Sequence, residues 1–570
     1  MTFDISIRGE TMNRPPTDLS APLNWQAPGP GQWNLDRSHV NRPATPINQY
    51  IQSRSTIRGS RIGLAELGAP LDGLDFRFVN GLVYSRIRPL VNPDKAATKL
   101  PPPPLLKAIV RLHPEMRRRA ATADRVLRDR PWRAVLEQWN APGGLRDSYE
   151  AANLALQDVE LSALSDEEML EHAHSTIAHA LTMWEAHFRL HSHDLGPIGL
   201  LLDASLRWGV PTAEMIPLLE GASPSTSDAE LKLRSIREAV NSVAPTASTL
   251  NEIRSASTDI SAEVDSFLRL RGRLVISRYD IDGLTLAESP EVLATTILSA
   301  RDTSSRRSQS ERDVHDRTAA VRDRIPVENQ PLFDMLLTEA RTAMDLRDDN
   351  GPHTVEWPLG LIRMALLEIG SRMVRRGAAH DAVDALELTV DEVDGAVLAN
   401  GPGPDTLRSR REWRQKVDIE AAPRRLGPEE PPPPLDVLPE SIARIAGLVQ
   451  VVIAEAGLDG EVKTSGLDGV GIGAESYTGR ARVASTPEDA LTQMEPGDVL
   501  IVPCTTPAYN MVLSMAGAVV TAEGGALSHA AVLARELGIP AVVGVPDALS
   551  AIANGSTVKV DPVAGSVSLV

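Results

Sequence analysis

Apolar residues recur at intervals of three and four positions through most of the chain between residues 105 and 398, with charged residues between them. This spacing places the apolar side chains on one face of a helix and therefore predicts amphipathic helices. Two β-rich runs flank Asn80-Gly81, a dipeptide typical of tight hairpin turns, so a β-hairpin is expected near residues 76–91. The sequence thus predicts a mainly helical region over residues 58–420 that contains one hairpin.

The segments on either side of this helical region differ from it in composition. Residues 1–57 are rich in Pro, Asn, Gln and Trp without a sustained period, which predicts an extended N-terminal arm. Residues 421–440 contain a run of consecutive prolines and no hydrophobic period, which predicts an extended hinge linker. Beyond them, short Val/Ile/Ala runs broken by glycine alternate with short helical patterns, so residues 441–570 are expected to form a small α/β domain.

The net charge, the single cysteine and the lack of long apolar runs argue against several classes of protein. The formal net charge is -18, so the chain has no overall basic field for a polynucleotide, and nucleic acid is not an expected partner. Cys504 is the single cysteine, which excludes an internal disulfide framework and fits a reducing compartment. The N-terminus lacks a basic start followed by an apolar core, and no apolar run approaches ~20 residues, so a cytoplasmic protein without a membrane anchor is expected.

The sharpest chemical pattern surrounds His529. An apolar strand ends at Thr521, a glycine pair follows at Gly524 and Gly525, and Ser528-His529 open a helix. Such a turn before a helix start presents unpaired backbone N–H groups and the positive helix end to an anion. A neutral imidazole is a competent nucleophile near pH 7, and the hydroxyls of Thr521 and Ser528 are placed to stabilise a phosphoryl group on it. The alternative from the residues alone is a histidine that caps or packs a helix start.

The run T-x-x-G-G-x-x-S-H-x-A-x-x-A-R-E-x-G-I-P-A-V-V-G, residues 521–544, resembles the phosphohistidine signature of the PEP-utilising enzyme mobile domain. GDVLIVPCTTPAY is similar to the strand and Thr-x-Pro loop that precede that signature, and NGSTVKVDPVAGSV is similar to the hairpin that closes the domain. The resemblance implies a swivelling β/β/α domain in which His529 is phosphorylated at one site and then moves to another. The phosphohistidine loop would then include Thr521, Gly524, Gly525, Ser528 and Arg535, with internal bracing of the domain as the alternative for the arginine.

The order of the regions resembles the histidine- and acceptor-bearing subunit of phenylphosphate synthase, and the acceptor-binding plus histidine domains of rifampicin phosphotransferase. No strand-rich nucleotide-binding domain precedes the helical region, so a separate ATP-grasp subunit is the expected partner. On that analogy the partner holds Mg2+ and charges His529 from the β-phosphate of ATP, giving AMP and phosphate. The present chain is expected to bind no cofactor by itself.

Two weaker resemblances indicate the acceptor-binding part of the chain. WNLDRSHVNRPATP, residues 33–46, is similar to the opening of the family's substrate region and contains His39. The stretch from Arg347 through EWPLGLIRMALLEIGSRMVRRG to LTVDEV is similar to segments near that region's end and contains Arg363. The two arginines would neutralise charge during phosphoryl transfer, with structural salt bridges as the alternative.

Half of the twelve histidines fall between residues 172 and 193. On a helix His187 and His191 share one face, a spacing that suits a metal-ligand pair or a general base beside an acceptor hydroxyl. No H-E-x-x-H pattern is present, so no metal site is predicted, and solvated or packed helix histidines remain the other interpretation. The acceptor-binding candidates are therefore His39, His187, His191, His193, Arg347 and Arg363.

These patterns predict a phosphotransferase subunit that carries a phosphoryl group on His529 and passes it to a hydroxyl of a small molecule. Phenols and antibiotic-like compounds are the candidate acceptor classes. Because phosphoryl transfer needs in-line positioning and charge neutralisation, a cationic, partly dry acceptor pocket is expected in the helical region. One alternative is a noncatalytic or regulatory phosphocarrier whose helical region binds a protein, and another is a carrier charged from PEP.

Overall fold

The computed structural model describes residues 22–36, 42–300, 304–431, 434–457, 464–505 and 509–570. Within these residues a large helical region is followed by a smaller C-terminal domain built on a mixed β-sheet. The predicted fold class, a mainly helical region before a C-terminal domain with a β-sheet, is confirmed. No helix in this described part of the chain is long and apolar enough to cross a membrane.

The helices are numbered here in chain order. Those before the C-terminal sheet are α1 Pro46–Leu67, α2 Pro103–Leu112, α3 Pro114–Asp129, α4 Trp132–Asn140, α5 Leu145–Gln157, α6 Asp166–Arg207, α7 Thr212–Met215, α8 Pro224–Val243, α9 Leu250–Ser255, α10 Thr258–Arg271, α11 Pro290–Ser299, α12 Ser304–Arg324, α13 Gln330–Gly351, α14 Trp357–Arg375, α15 Val393–Val397, α16 Pro404–Lys416 and α17 Glu440–Ala456. Those of the sheet domain are α18 Pro487–Gln493, α19 Asn510–Met515, α20 His529–Leu537 and α21 Ala548–Ala551.

The strands form two separate sheets. Their bounds are β1 Trp33–Leu35, β2 Leu71–Val79, β3 Leu82–Pro89, β4 Arg425–Leu426, β5 Val470–Ile472, β6 Tyr477–Val483, β7 Val499–Val502, β8 Ala518–Thr521, β9 Ala541–Val543, β10 Thr557–Asp561 and β11 Ser566–Leu569. The first sheet has the order β2-β3-β1-β4, and the second has the order β11-β10-β6-β7-β8-β9-β5. Strands β6 to β9 are parallel to one another, whereas β5, β10 and β11 run antiparallel to their neighbours.

The predicted hairpin consists of β2 and β3, which pair from Val79 and Leu82 outwards. Asn80 and Gly81 form its turn with φ values of 50° and 77°. Both values lie in the left-handed region that a two-residue hairpin turn requires and that Asn and Gly tolerate best. This turn chemistry is why the hairpin is recognisable from the sequence.

Helix α6 is the central element of the helical region. It contains 42 residues, and at 1.5 Å per residue it is about 63 Å long. Ser165 caps its start, and Glu168 completes a reciprocal capping box with Ser165. The first half of α6 packs into a core that contains Met169 and Trp184, whereas its second half packs into another core that contains Leu201.

The extended arm predicted for residues 1–57 is wrong for its last part, because α1 begins at Pro46. The buried face of α1 includes the polar residues Asn48, Gln52 and Ser55, so the helix lacks the apolar stripe by which the sequence pattern would have revealed it. Residues 1–21 and 37–41 of the predicted arm lie outside the described residues.

The linker and domain boundary predicted at residues 421–440 and 441 also need correction. Strand β4 pairs with β1, and the Glu430 carboxylate accepts hydrogen bonds from Arg86, so this segment is attached to the helical region. Helix α17 buries Ile442 and Ile445 in the same core as the second half of α6. By its packing α17 therefore belongs with the helical region, because its apolar face finds its partners there rather than on the C-terminal sheet.

Candidate functional site

The chain turns sharply between β8 and α20, and this turn positions His529. Gly524 has a φ of 115°, a backbone conformation that favours glycine because a Cβ would be strained there. Ser528 is extended and caps α20, since its hydroxyl accepts a hydrogen bond from the backbone N–H of Ala531. His529 is therefore the first residue of α20, at the helix end that carries the positive partial charge.

The ring of His529 is held from one side by Thr505. The Nδ1 atom lies 2.9 Å from the hydroxyl oxygen of Thr505, which follows β7. When Nδ1–H donates to this oxygen, the neutral ring carries its lone pair on Nε2, the nitrogen on the far side from Thr505. In that tautomer Nε2 is the nitrogen available as a nucleophile.

The surroundings of His529 favour its neutral form. The side chain keeps partial access to solvent, but protein surrounds most of the ring. This burial lowers the pKa of His529 to about 4 from the usual 6.5, because the charged imidazolium loses hydration that the site does not replace. The ring is consequently deprotonated throughout the neutral pH range and can act as a nucleophile without a base of its own.

The loop before His529 is docked on the helical region. The backbone N–H of Leu527 donates to the carbonyl of Glu455 at the end of α17, at 2.7 Å. A Cβ on Gly525 would lie 2.4 Å from the same carbonyl oxygen, so only glycine permits this approach. Leu527 itself is buried and joins the core formed by the second half of α6 and by α17.

Arg347, near the end of α13, reaches this loop from the helical region. Its Nη2 atom donates to the Leu527 carbonyl at 3.4 Å, two residues before His529. Its Nη1 atom lies 3.5 Å from the carboxylate of Asp194, which α6 buries completely. Arg347, one of the predicted acceptor-site residues, is thus placed between the phosphohistidine loop and the polar side chains of α6.

Two hydroxyls proposed from the sequence as phosphate donors already have partners in this arrangement. The Thr521 hydroxyl is buried and donates to the carbonyl of Glu523 at 2.7 Å, which holds the turn after β8. The Ser528 hydroxyl caps α20. The observed role of both side chains is to shape the loop, and Thr505 rather than either of them contacts the histidine ring.

Arg535 lies on α20 away from the loop, where its charged neighbours include Glu220 of the helical region. Burial lowers the pKa of Arg535 to about 10, and Glu220 opposes this shift. Arg535 therefore lies within reach of a charge of the helical region, and its two predicted roles, a loop residue or an internal brace, stay predictions.

Glu536, the next residue, accepts a hydrogen bond from the backbone N–H of Gly221 at 3.0 Å. Burial and the neighbouring Asp348 carboxyl raise the pKa of Glu536 to about 7. The pKa of Asp348 on α13 is likewise raised to about 7, mainly by burial. The Asp348 carboxyl of the helical region thus lies close enough to raise the pKa of Glu536 in the C-terminal domain.

His187 and His191 do come together on one face of α6, as their spacing predicted. Their Nε2 atoms are 3.2 Å apart, and the Nδ1 atom of His191 lies 2.8 Å from the Asp194 carboxylate. The Nδ1 atom of His187 lies 3.1 Å from the hydroxyl of Thr354, in a π-helical segment, Pro352–Glu356, between α13 and α14. This cluster is connected through Asp194 and Arg347 to the loop of His529.

The other candidate residues are not brought to this cluster. His193 lies 3.5 Å from the Glu66 carboxylate of α1. Arg363 is buried, and its guanidinium donates to the Glu288 carboxylate and to the carbonyl of Ile281, which is the structural salt bridge weighed as an alternative. His39 lies outside the described residues.

A cavity of about 350 Å3 lies elsewhere, between the hairpin turn, the start of α1 and α16. Its walls include Phe78, Trp413 and the paired charges of Glu387 and Arg414, and none of its lining residues belongs to the cluster around His529. The cationic acceptor pocket expected from the sequence thus stays a prediction. Within the described ranges, no group of three His, Cys, Asp or Glu side chains is arranged to hold a metal ion.

Sequence reasoning missed Thr505, Asp194 and the Asp348–Glu536 pair. The signal for Thr505 was present, because it opens the Thr-x-Pro loop that precedes the histidine signature. Asp194 follows His191 by three residues, a helical spacing that brings two side chains together. Nothing in the sequence pairs Asp348 with Glu536, because their proximity depends on how the C-terminal domain docks.

Residues 494–565 match the PEP-utilising enzyme mobile domain. Over 97% of its length the chain is 27% identical to a chondramide synthase of Chondromyces crocatus. It is 28% identical over 42% of its length to an uncharacterised phosphotransferase of Bacillus subtilis, and 30% identical over 36% to a rifampicin phosphotransferase of a Streptomyces species. The chain spans only 14%, 27% and 21% of these three relatives, respectively.

Proposed function

Since its C-terminal domain belongs to the PEP-utilising enzyme mobile domain family, we propose that this chain is a phosphotransferase that carries a phosphoryl group on Nε2 of His529. It hands this group to a hydroxyl of a small molecule bound by the helical region. Phenols and antibiotic-like compounds are the acceptor classes to test first, and a separate ATP-grasp protein is the proposed donor partner.

The observation that carries the proposal is the docking of the histidine loop on the helical region. The backbone of Leu527 bonds to α17 on one side and to the Arg347 guanidinium on the other. Arg347, which also contacts Asp194 on α6, thus binds the loop that carries the neutral, partly accessible imidazole, and this supports a role for the cation in transfer. Charge neutralisation and positioning are what phosphoryl transfer requires of a protein.

The two half-reactions balance with the groups described. In the first, Nε2 of neutral His529 attacks phosphorus, and the bond from phosphorus to the leaving oxygen of the donor breaks. With ATP as the donor, the β-phosphoryl group is transferred and AMP leaves, while water attacks the γ-phosphorus, breaks the bond between the β- and γ-phosphates and releases phosphate. In the second, the acceptor oxygen attacks the same phosphorus, the P–N bond breaks, and its electron pair returns to Nε2. Nδ1, which lies beside the Thr505 hydroxyl, keeps its proton in both steps, so that the leaving group in the second step is a neutral imidazole.

A labelling experiment tests the proposal. The full chain is incubated with ATP labelled at the β-phosphate and a candidate ATP-grasp partner, and in a parallel arm with labelled PEP. Acid-labile label is expected on the wild type and not on His529→Ala. His380→Ala is the matched control, because His380 is an exposed histidine that pairs with an exposed Asp405 carboxylate, and this variant should label normally. Equal labelling of the wild type and His529→Ala would refute the proposal.

A further inference from the structure

The hydrogen bonds around His191 fix where its protons are. Asp194 is completely buried on α6, and its Oδ2 atom lies 2.8 Å from Nδ1 of His191. A carboxylate can only accept, so Nδ1 of His191 carries a hydrogen in this contact. The same pairing of a buried aspartate with a ring nitrogen orients the histidine in hydrolases, where the other ring nitrogen then faces the substrate.

The hydrogen bonds around His187 lead to the same tautomer. The Thr354 hydroxyl, which has one hydrogen, donates it to an oxygen of Asn350 in the preceding turn. The side-chain amide of Asn350 donates to the carbonyl of His187, so its oxygen is the atom that faces Thr354. Since Thr354 has given its hydrogen to Asn350, the 3.1 Å contact between Thr354 and Nδ1 of His187 requires the hydrogen on that nitrogen.

The two Nε2 atoms therefore face each other at 3.2 Å with both Nδ1 atoms already protonated. Two lone pairs at this distance repel, whereas one hydrogen between them makes a hydrogen bond. The observed geometry thus corresponds to a pair that shares one proton, with the positive charge balanced by the Asp194 carboxylate. When that proton leaves, a hydroxyl group can supply the hydrogen that the pair has lost.

We propose that the His187–His191 pair accepts the proton of the acceptor hydroxyl during phosphoryl transfer, and that Asp194 orients His191 for this role. This inference rests on the proposed function. As the acceptor oxygen bonds to phosphorus and the P–N bond of phosphorylated His529 breaks, the O–H proton moves to Nε2 of His191. The product is the proton-sharing pair. His191, whose side chain is 33% exposed, then releases the proton to solvent.

Arg347 connects this pair to the phosphohistidine loop. Its two terminal nitrogens contact Oδ1 of Asp194, the oxygen that does not face His191, and the Leu527 carbonyl, at 3.5 and 3.4 Å. The carboxylate that holds the base and the loop that carries the phosphoryl group are consequently bridged by one guanidinium. Because this bridge exists only while the loop is docked, the base is aligned when the phosphoryl group arrives. Arg347 and Asp194 are positioning residues in this scheme.

The test starts from the full chain phosphorylated on His529 by potassium phosphoramidate, which needs no partner protein. Phenol is added as the acceptor probe, and the formation of phenyl phosphate and of inorganic phosphate is followed between pH 5 and 9. A general base acts in its deprotonated form, so the wild-type transfer rate should increase with pH towards a plateau. His191→Gln should lower the plateau about 100-fold or more and remove this pH limb, since general bases contribute about 10²–10⁴ in rate.

Asp194→Asn is the second variant, because it keeps both imidazoles and loses only the orienting charge. It should reduce transfer at least about tenfold and shift the pH limb to lower pH, because the protonated pair loses the carboxylate that stabilises its charge. His174→Gln is the control on the same helix, because His174 is exposed and contacts Asp394 rather than the pair. Transfer to phenol and to water at wild-type rates and with an unchanged pH profile in both His191→Gln and Asp194→Asn would overturn the inference. Failure of wild-type His529 to take up phosphate would instead refute the proposed function.

Discussion

The Nδ1 atom of His529 lies 2.9 Å from the hydroxyl oxygen of Thr505, and this contact joins the two loops at the edge of the C-terminal sheet. Thr505 follows β7 and His529 begins the helix after β8, and the two strands are parallel neighbours. The carboxyl ends of parallel neighbours meet at one edge of a sheet, which is where sites in such sheets form. The nucleophile and the residue that selects its tautomer are therefore positioned by adjacent strands.

Replacing Thr505 by Val should slow phosphorylation of His529, because the ring then loses the partner that holds its hydrogen on Nδ1. The loss of one such hydrogen bond is worth about 1–3 kcal/mol, or roughly a five- to 160-fold decrease in rate. Thr505→Ser keeps the hydroxyl and should retain most of the rate. The initial rate of label incorporation from phosphoramidate measures both, and an equal decrease in the Ser and Val variants would contradict the assigned role.

Phosphorylation of His529 should continue at acidic pH, where ordinary histidines have stopped reacting. Burial lowers the pKa of His529 to about 4, so the ring remains neutral down to about pH 5. Free N-acetylhistidine, with a pKa near 6.5, should lose about 30-fold in reactivity between pH 8 and pH 5. The rate at which phosphoramidate phosphorylates His529, divided by its rate with N-acetylhistidine, should therefore increase about 30-fold from pH 8 to pH 5. A constant ratio across this range would show that the ring titrates normally.

Docking of the C-terminal domain should take up a proton at Glu536. The neighbours that act on its carboxyl are Asp348, Glu220, Arg341 and the N–H of Gly221, and all of them belong to the helical region. Burial, the largest cause, and the neighbouring Asp348 and Glu220 raise the pKa of Glu536 from 4.5 to about 7, and we expect docking on the helical region to produce this shift. A group whose pKa rises on docking favours the docked form most below pH 4.5. As the pH increases from 4.5 to about 7 this preference is lost, and the equilibrium constant for docking decreases by up to tenfold per pH unit.

Fluorescence transfer between labels on the two regions can follow this equilibrium. In a Cys504→Ser background, cysteines at the exposed positions Glu137 and Ser550 would carry the dyes. Transfer should decrease from pH 5 to pH 7.5 in this protein and lose most of that pH dependence in Glu536→Gln. Glu495→Gln, which changes a carboxyl of the same domain that pairs with Arg480, should behave like the parent. A parallel pH response in all three proteins would exclude Glu536 as the group responsible.

Gly525→Ala should destabilise the docked loop, because the added Cβ would lie 2.4 Å from the carbonyl oxygen of Glu455. Overpacking of this kind costs about 1–3 kcal/mol. Gly447→Ala in α17 is the matched control, since nothing lies within 4 Å of its Cβ position and alanine favours a helix by about 1 kcal/mol. Urea unfolding should show a loss of stability for the first variant and a small gain for the second. Equal effects would contradict the close approach.

The sequence was informative where one short segment determines its own structure. The hairpin turn at Asn80-Gly81 and the strand, glycine turn and helix around His529 depend on local backbone preferences, which residue types report directly. The helical face shared by His187 and His191 followed from their spacing alone.

Features that depend on distant segments could not be obtained in this way. Asp194 and Arg347 are 153 positions apart, and their contact depends on how α6 packs against α13. The apolar face of α17 is recognisable in the sequence, but the pattern does not say whether it packs on the helical region or on the C-terminal domain. In the structure it packs with the second half of α6. The polar buried face of α1 hid that helix from periodicity, because the pattern detects only apolar stripes.

Helix α6 contributes side chains to both large cores of the helical region, one through Met169 and Trp184 and the other through Leu201. Because one continuous helix contributes to both cores, we expect the loss of packing in one core to destabilise the other. Heating should therefore melt them in one cooperative step, and calorimetry would detect a single transition for them. The same continuity prevents evolution from exchanging one half of this region as an independent module.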